Sequence, residues 1–154
     1  LNQEQKTRES LHDDWYITGD IGLIDEDGFI RITDRLSRFS KIGGEMVPHL
    51  RVEEAIGTVI GDAPCAVTAV PDEDRGERLV ALYVQPEMTP AQLWQKLGET
   101  AMPKLWIPKR ENLYPVAELP QLGTGKLDLR AVKARALQLA SGVEARPSGA
   151  PAAG

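Results

Sequence analysis

The chain has 154 residues, 18 Lys and Arg against 23 Asp and Glu, a net charge of −5 and 42% hydrophobic residues. This length suits one domain with a modest core, and the acidic balance argues against a nucleic-acid partner. With one cysteine (Cys65), two histidines (His12 and His49) and no apolar run longer than Leu79 to Val84, we expect no disulfide, no metal site and no transmembrane segment. The composition therefore predicts a soluble, cytoplasmic globular domain.

The two ends of the chain differ from its middle. Residues 1–14 are polar and lack a sustained period, so we interpret them as a linker or a cut end. Residues 141–154 hold Gly, Pro, Ala and Ser with almost nothing to bury, which predicts a disordered tail.

Between these ends the apolar pattern predicts short strands and amphipathic helices. Gly28 and Gly43-Gly44 can supply the positive φ of hairpin turns, and Thr89 begins a capping box. In chain order the predicted elements are strands at 20–24, 29–32, 39–42 and 45–47, a helix after Pro48 that ends at Gly61, strands at 65–70 and 79–84, a helix from Pro90 and a last helix from Asp128. This order predicts an α+β fold, a small mixed β-sheet flanked by helices and preceded by a β-hairpin. A polar stretch, residues 33–38, interrupts the strand pattern.

The most suggestive local motif is LPQLGTGK at residues 119–126. Two glycines within three residues let the backbone approach an anion, and Lys126 follows them just before a helix whose first amides favour negative charge. The motif is not a Walker A loop, because Pro120 and Leu127 stand where that loop needs Gly and Ser or Thr. Local sequence leaves two interpretations open, an anion-binding loop and a glycine turn with an exposed lysine.

Other polar positions are equally ambiguous when each is taken alone. An ionised Asp20 after Gly19 can accept two hydrogen bonds from a vicinal diol such as ribose, or can simply stabilise the entry of a strand. Arg35 and Lys41 fit a solvated surface, and Gly43-Gly44 fits an ordinary hairpin turn.

The order of these segments is more specific than any one of them. WYITGD, DEDGFIRI, DR, KIGGE, PDEDRGE and LGTGK follow one another between residues 15 and 130. Together they resemble the C-terminal region of the adenylate-forming acyl ligases. Residues 38–47 and 122–126 look most like the bacterial acyl-acyl carrier protein synthetase, which also has 2-acylglycerophosphoethanolamine acyltransferase activity.

The resemblance implies a reaction in two steps. ATP and a carboxylate, here a fatty acid, give acyl-adenylate and pyrophosphate, and a pantetheine thiol of acyl carrier protein or coenzyme A then displaces AMP. Between the steps a small C-terminal domain turns about a hinge. The family binds ATP with Mg²⁺ mainly through a large N-terminal domain that these residues do not contain. The resemblance also implies a cytoplasmic domain, in a parent enzyme that works at the bacterial inner membrane.

The resemblance also implies a role for each matching residue. Lys126 matches the catalytic lysine of adenylation, Asp20 and Arg35 match the nucleotide-binding pair at the ribose, and Ser37 takes the hinge position. The thioester-forming loop would comprise Lys41, Gly43, Gly44 and Glu45. The implied domains are 15–36 as the terminal hairpin of the N-terminal domain with the hinge, and 37–140 as the mobile C-terminal domain.

This sequence departs from the family pattern at two positions. Asp34 stands where the family has Gly before the arginine, and Ser37 stands where it has Asp or Lys. Two other functions also remain open at this stage. One is an acyl-CoA ligase of the same family. The other is a non-catalytic docking module for an acidic carrier protein, with Arg130, Lys133 and Arg135 as its basic face.

Overall fold

A computed structural model describes residues 11–13 and 15–142 of the chain. The chain divides into two compact units, with the boundary between Phe39 and Ser40. The predicted linker and tail lie almost entirely outside the described residues. β1 (Leu11–His12), inside the predicted linker, pairs with β2 (Trp15–Tyr16), just beyond it, in a two-residue ladder.

The first unit also contains an antiparallel hairpin of β3 (Asp20–Ile24) and β4 (Ile30–Arg35). Its turn is closed by Asp25, whose carboxylate accepts the amide of Phe29 at 2.9 Å. Gly28 has φ +85°, as expected for a tight turn. The predicted turn is therefore present at the predicted glycine.

The predicted break at residues 33–38 begins later than expected. β4 continues through Arg35, which is in register with Asp20, and the Thr33 hydroxyl donates to the carbonyl of Ile21 at 3.1 Å. Backbone pairing does not depend on apolar side chains, so a polar run on an exposed hairpin can remain a strand. Only Leu36–Arg38 leaves the ladder, as a 3₁₀ turn.

The second unit is a mixed sheet covered by helices. Three strands form the sheet, with β7 antiparallel to β8 and β9 parallel to β8. In chain order its elements are β5 (Phe39–Ile42), β6 (Glu45–Pro48), α1 (His49–Ile60), β7 (Cys65–Asp72), β8 (Gly76–Tyr83), α2 (Pro90–Gly98), β9 (Leu113–Pro115) and α3 (Leu129–Ala140). The predicted α+β class, with a small mixed sheet flanked by helices, is confirmed.

The alternation of side chains along β8 creates a core on each face of this sheet. Leu79, Ala81 and Tyr83 pack in one cluster with α1 and α2 residues, whereas Val80 and Leu82 pack in another with α3 residues. Successive strand residues point to opposite faces, so a continuous apolar run is what a strand buried on both sides requires.

The helix ends follow their local signals. Gly61 ends α1 with φ +70°, and the Thr89 hydroxyl and the Gln92 side chain form the predicted capping box of α2. The last helix begins at Leu129, with Asp128 as its N-cap. No helix within the described part of the chain has the length and apolarity that a membrane crossing needs.

Two details of the second unit differ from the prediction. β9 was not predicted, because three residues that pair only with β8 leave no periodic signal. β7 continues to Asp72, two residues beyond the strand predicted at 65–70, and the thiol of Cys65 at its start is half-buried. This thiol contacts the carbonyl of Glu53 at 3.4 Å.

Candidate functional site

The hairpin of the first unit brings Asp20 and Arg35 together. The two residues are register partners, and Asp20 Oδ1 lies 2.7 Å from Arg35 Nε. Their contact is an ion pair, and Asp20 Oδ1 is buried and accepts no hydrogen bond from the residues that the structure describes. The Asp20 amide donates to Thr18 Oγ1 at 3.1 Å, which orients the start of the strand. The two residues predicted to bind the nucleotide therefore lie in contact, and nucleotide binding itself stays a prediction.

Ser37 lies in the exposed 3₁₀ turn that follows β4. The turn is tied to its own unit by the amide of Leu36, which donates to the carbonyl of Gly19 at 2.8 Å. The boundary between the two units falls just after this turn, between Phe39 and Ser40.

The predicted thioester-forming loop is the turn between β5 and β6. Gly43 and Gly44 have φ +57° and +91°, a conformation in which glycine is favoured at both positions. No heavy atom lies within 4 Å of the place where a Cβ would stand on either residue. Lys41 and Glu45 flank the turn and are exposed. We call residues 40–48 the glycine hairpin, and its tip is open to solvent.

The glycine hairpin is held on the second unit by hydrogen bonds along its length. Glu77 Oε2 accepts the Lys41 amide at 2.9 Å, and the Gly43 amide donates to the carbonyl of Arg75 at 3.1 Å. The indole Nε1 of Trp106 donates to Glu45 Oε1 at 2.9 Å.

These three partners were missed as individual residues in the sequence. Arg75 and Glu77 belong to the motif PDEDRGE, which marked them only as a charged loop. Trp106 lies 61 residues from Glu45 and carries no local signal.

Lys126 lies in a compact turn closed by backbone bonds. The Leu122 amide donates to the Lys126 carbonyl at 2.7 Å, and the Gly125 amide donates to the Leu122 carbonyl at 2.8 Å. A β-bridge joins Gln121 and Leu127 at its base. The Lys126 side chain is exposed, and no residue of the described chain forms a hydrogen bond or ion pair with its ammonium. A turn held by its backbone can therefore present this cation to a ligand.

The first amides of the helix after Lys126 are capped by a side chain of the chain itself. The Asp128 carboxylate accepts the amides of Arg130 and Ala131 at 3.0 and 3.1 Å. Because an N-cap carboxylate already satisfies these donors, the positive charge of this loop comes from the lysine rather than from the helix terminus. Within the described residues, no group of three His, Cys, Asp or Glu side chains is placed to hold a metal ion.

Comparison with known proteins assigns the second unit to a family. Residues 51–126 match the family model described as AMP-binding enzyme C-terminal domain. The chain is 32% identical over 135 residues to a 2-succinylbenzoate--CoA ligase of Listeria monocytogenes, which covers 88% of this chain and 28% of that protein. It is 34% identical over 128 residues to the long-chain-fatty-acid--CoA ligase FadD13 of Mycobacterium tuberculosis, which covers 82% of this chain and 25% of that protein.

A solved structure agrees with this assignment. ATP-bound MatB from Rhodopseudomonas palustris superposes with a TM-score of 0.66 at 29% identity, over 87% of this chain and 27% of MatB. Residues 51–126 thus belong to the C-terminal domain family of the AMP-binding, adenylate-forming ligases. The chain spans only about a quarter of the length of these relatives.

Proposed function

We propose that this chain is the C-terminal catalytic part of a longer ATP-dependent ligase, which first adenylates a carboxylic acid and then transfers the acyl group to a pantetheine thiol. The observation that carries the proposal is the exposed ammonium of Lys126, which no described residue binds, on a turn at the end of the matched domain. The motif around Lys126 resembles the segment that carries the adenylation lysine in the family, which supports the same assignment.

Adenylation brings two negatively charged groups together, and a lysine placed beside them can offset their repulsion. An anionic carboxylate must approach an anionic α-phosphate, and as the new bond to phosphorus forms, negative charge moves to the oxygen that leaves with pyrophosphate. A positioned cation reduces that repulsion, and comparable groups contribute about 100- to 1000-fold in rate. In this proposal Lys126 contacts the carboxylate and the α-phosphate oxygens, while ATP and Mg²⁺ are held mainly by an N-terminal domain.

The Asp20–Arg35 pair would bind the ribose of the nucleotide. A carboxylate accepts hydrogen bonds from ribose hydroxyls, and in Asp20 one of its oxygens, Oδ1, is buried beside Arg35. The Arg35 side chain is 65% exposed, while its contact with Asp20 keeps that carboxylate on the same side of the hairpin. The pair therefore supports a nucleotide contact from the first unit.

The glycine hairpin would serve the second step. Lacking Cβ atoms, Gly43 and Gly44 leave room for the narrow pantetheine arm, and the open tip fits entry into a slot on another domain. Rotation about the segment that contains Ser37 would exchange Lys126 for this hairpin between the two steps.

The exposed apolar surface of the first unit supports a further domain in the complete enzyme. Large apolar side chains face solvent on the two hairpins of this unit, among them Trp15 at 78% and Phe29 at 69% exposure. Proteins rarely leave clustered apolar surface uncovered, so we assign it as the contact with the ligase's own N-terminal domain.

Two acceptors are consistent with the proposed chemistry. The resemblance of residues 38–47 and 122–126 to acyl-acyl carrier protein synthetase favours acyl carrier protein, with onward acyl transfer to 2-acylglycerophosphoethanolamine at the bacterial inner membrane. The relatives are named as coenzyme A ligases, which favours coenzyme A as the second candidate. Both acceptors present the same thiol, so parallel assays of thioester formation with each one distinguish them.

The test of the proposed function is Lys126→Ala in the complete enzyme. ATP–pyrophosphate exchange should fall about 100- to 1000-fold, while preformed acyl-adenylate is still converted to thioester. Lys133→Ala is the matched control, because it removes another exposed lysine from the same unit.

Near-normal exchange in Lys126→Ala would instead support the docking-module alternative, in which the basic residues of α3 bind an acidic carrier protein. Arg130 and Lys133 are exposed on that helix and Arg135 is half-buried. Loss of exchange in both Lys126→Ala and Lys133→Ala would contradict a specific role for Lys126.

A further inference from the structure

The glycine hairpin is fastened at its base by a buried polar contact that the proposed chemistry does not use. Ser40 Oγ and His49 Nε2 lie 2.6 Å apart, and the two residues are only 3% and 4% exposed. Ser40 begins the hairpin and His49 begins α1, so the bond joins the two ends of a ten-residue segment. A buried polar pair of this kind is stabilising only when both groups remain bonded, which makes its geometry exacting.

Near the tip, a second side-chain bond fastens the same hairpin. Trp106 Nε1 donates to Glu45 Oε1 at 2.9 Å, across 61 residues of sequence. Trp106 itself packs against the core cluster that contains Ile42 and Val47, the inward-facing residues of the hairpin. The indole therefore links the exposed side of the turn to the rigid interior of the second unit.

We propose that His49 and Trp106 are positioning residues, which hold the glycine hairpin at the angle needed for thioester formation. The inference rests on the proposed function, because it assigns the orientation of the hairpin to these two bonds. The Glu77 carboxylate and the Arg75 carbonyl accept the amides of Lys41 and Gly43 and so hold one strand and the turn, whereas Trp106 reaches the opposite flank at Glu45. Together the side-chain bonds restrain rotation of the hairpin about its long axis.

A small change in the orientation of the glycine hairpin is enough to slow thioester formation, because the hairpin must leave a narrow space for the pantetheine arm. Misplacement of a reacting group by about 1 Å costs about 100-fold in rate. The adenylation step uses the turn at Lys126 instead of the hairpin, so loosening the hairpin should leave that step unchanged. This difference between the two half-reactions separates positioning from a general loss of stability.

The experiment compares Trp106→Phe and Ser40→Ala with wild type in the complete enzyme. Trp106→Phe keeps an aromatic ring and removes the indole donor, and Ser40→Ala removes the hydroxyl that contacts His49 Nε2. Each should slow conversion of preformed acyl-adenylate to thioester about 10- to 100-fold, with ATP–pyrophosphate exchange unchanged. Trp94→Phe is the matched control, because it makes the same change at an exposed indole of α2.

A double variant adds a second criterion. Trp106→Phe should have no further effect in an enzyme that already carries Glu45→Ala, because the bond it removes is then absent. Wild-type thioester rates in both single variants, or equal losses in the two half-reactions, would overturn the positioning role. If Ser40→Ala does not fold, Trp106→Phe decides alone.

Failure of the proposed function is recognised separately. In that case the wild-type enzyme forms no acyl-adenylate, or Lys126→Ala leaves exchange intact, whatever Trp106→Phe does. An enzyme in which Lys126→Ala abolishes exchange and Trp106→Phe changes nothing retains the proposed function and refutes the positioning role.

Discussion

Replacement of Gly44 by alanine tests whether the glycine hairpin serves thioester formation. The residue has φ +91° on an exposed turn, and the added methyl would meet no heavy atom within 4 Å. Its cost to this chain is therefore backbone strain without a clash, about 1–2 kcal/mol for an L residue in the left-handed region. A loss of 1 kcal/mol lowers the melting temperature of a small domain by about 4–8 °C.

Gly61 provides a control with the same local strain at a different place. It ends α1 at φ +70°, and a Cβ there would also meet no heavy atom within 4 Å. Gly61→Ala and Gly44→Ala should therefore lower the melting temperature by similar amounts. Only Gly44→Ala should slow thioester formation, because only that methyl enters the space proposed for the pantetheine arm.

The assay measures both half-reactions of the complete enzyme well below its melting temperature. We expect Gly44→Ala to slow thioester formation from preformed acyl-adenylate about 10- to 100-fold, with ATP–pyrophosphate exchange close to wild type. Gly61→Ala should leave both rates unchanged. Equal losses of thioester formation in the two variants, or a larger loss of exchange in Gly44→Ala, would refute the assignment of the hairpin.

Two further predictions concern the hinge and the core. Ser37→Pro fixes φ and removes an amide donor, so it should hold the domain in one pose and slow one half-reaction far more than the other. Ser37→Ala, the control, should leave both half-reactions unchanged. Equal effects of Ser37→Pro on both steps would exclude Ser37 as the pivot. Burial raises the pKa of the Tyr83 phenol above its ordinary 10.0, so the folded state favours the neutral form. The contribution of this group to the free energy of unfolding is fully present below pH 10 and is lost as the pH rises through the folded pKa. Urea midpoints measured on both sides of pH 10 should therefore fall in wild type and fall less in Tyr83→Phe.

The sequence was a good guide where a structure depends on neighbouring residues. The turns at Gly28 and Gly43-Gly44, the capping box at Thr89 and the end of α1 at Gly61 all appear at the predicted positions. Each depends on backbone conformation or a hydrogen bond within a few residues, so the signal and the structure occupy the same short segment.

Predictions were weaker where a distant partner or a competing group decides. The polar residues 33–35 remain in β4 because β3 pairs with them, which no local pattern indicates. The first amides of α3, which one of the two open interpretations offered to an anion, are capped by the chain's own Asp128. The sequence places Asp128 at the start of this helix, but only the folded structure shows that its carboxylate accepts the amides of both Arg130 and Ala131.

By itself, then, the sequence determined the order of the longer strands and of the helices, most of their turns and caps, and a series of motifs that resembles one ligase family. Only the tertiary structure decided that Asp20 meets Arg35, that Ser40 is bonded to His49, and that Trp106 reaches Glu45. The physical reason is that caps and turns gain their energy from adjacent residues. Contacts between side chains far apart in sequence exist only after the sheet and its helices have packed.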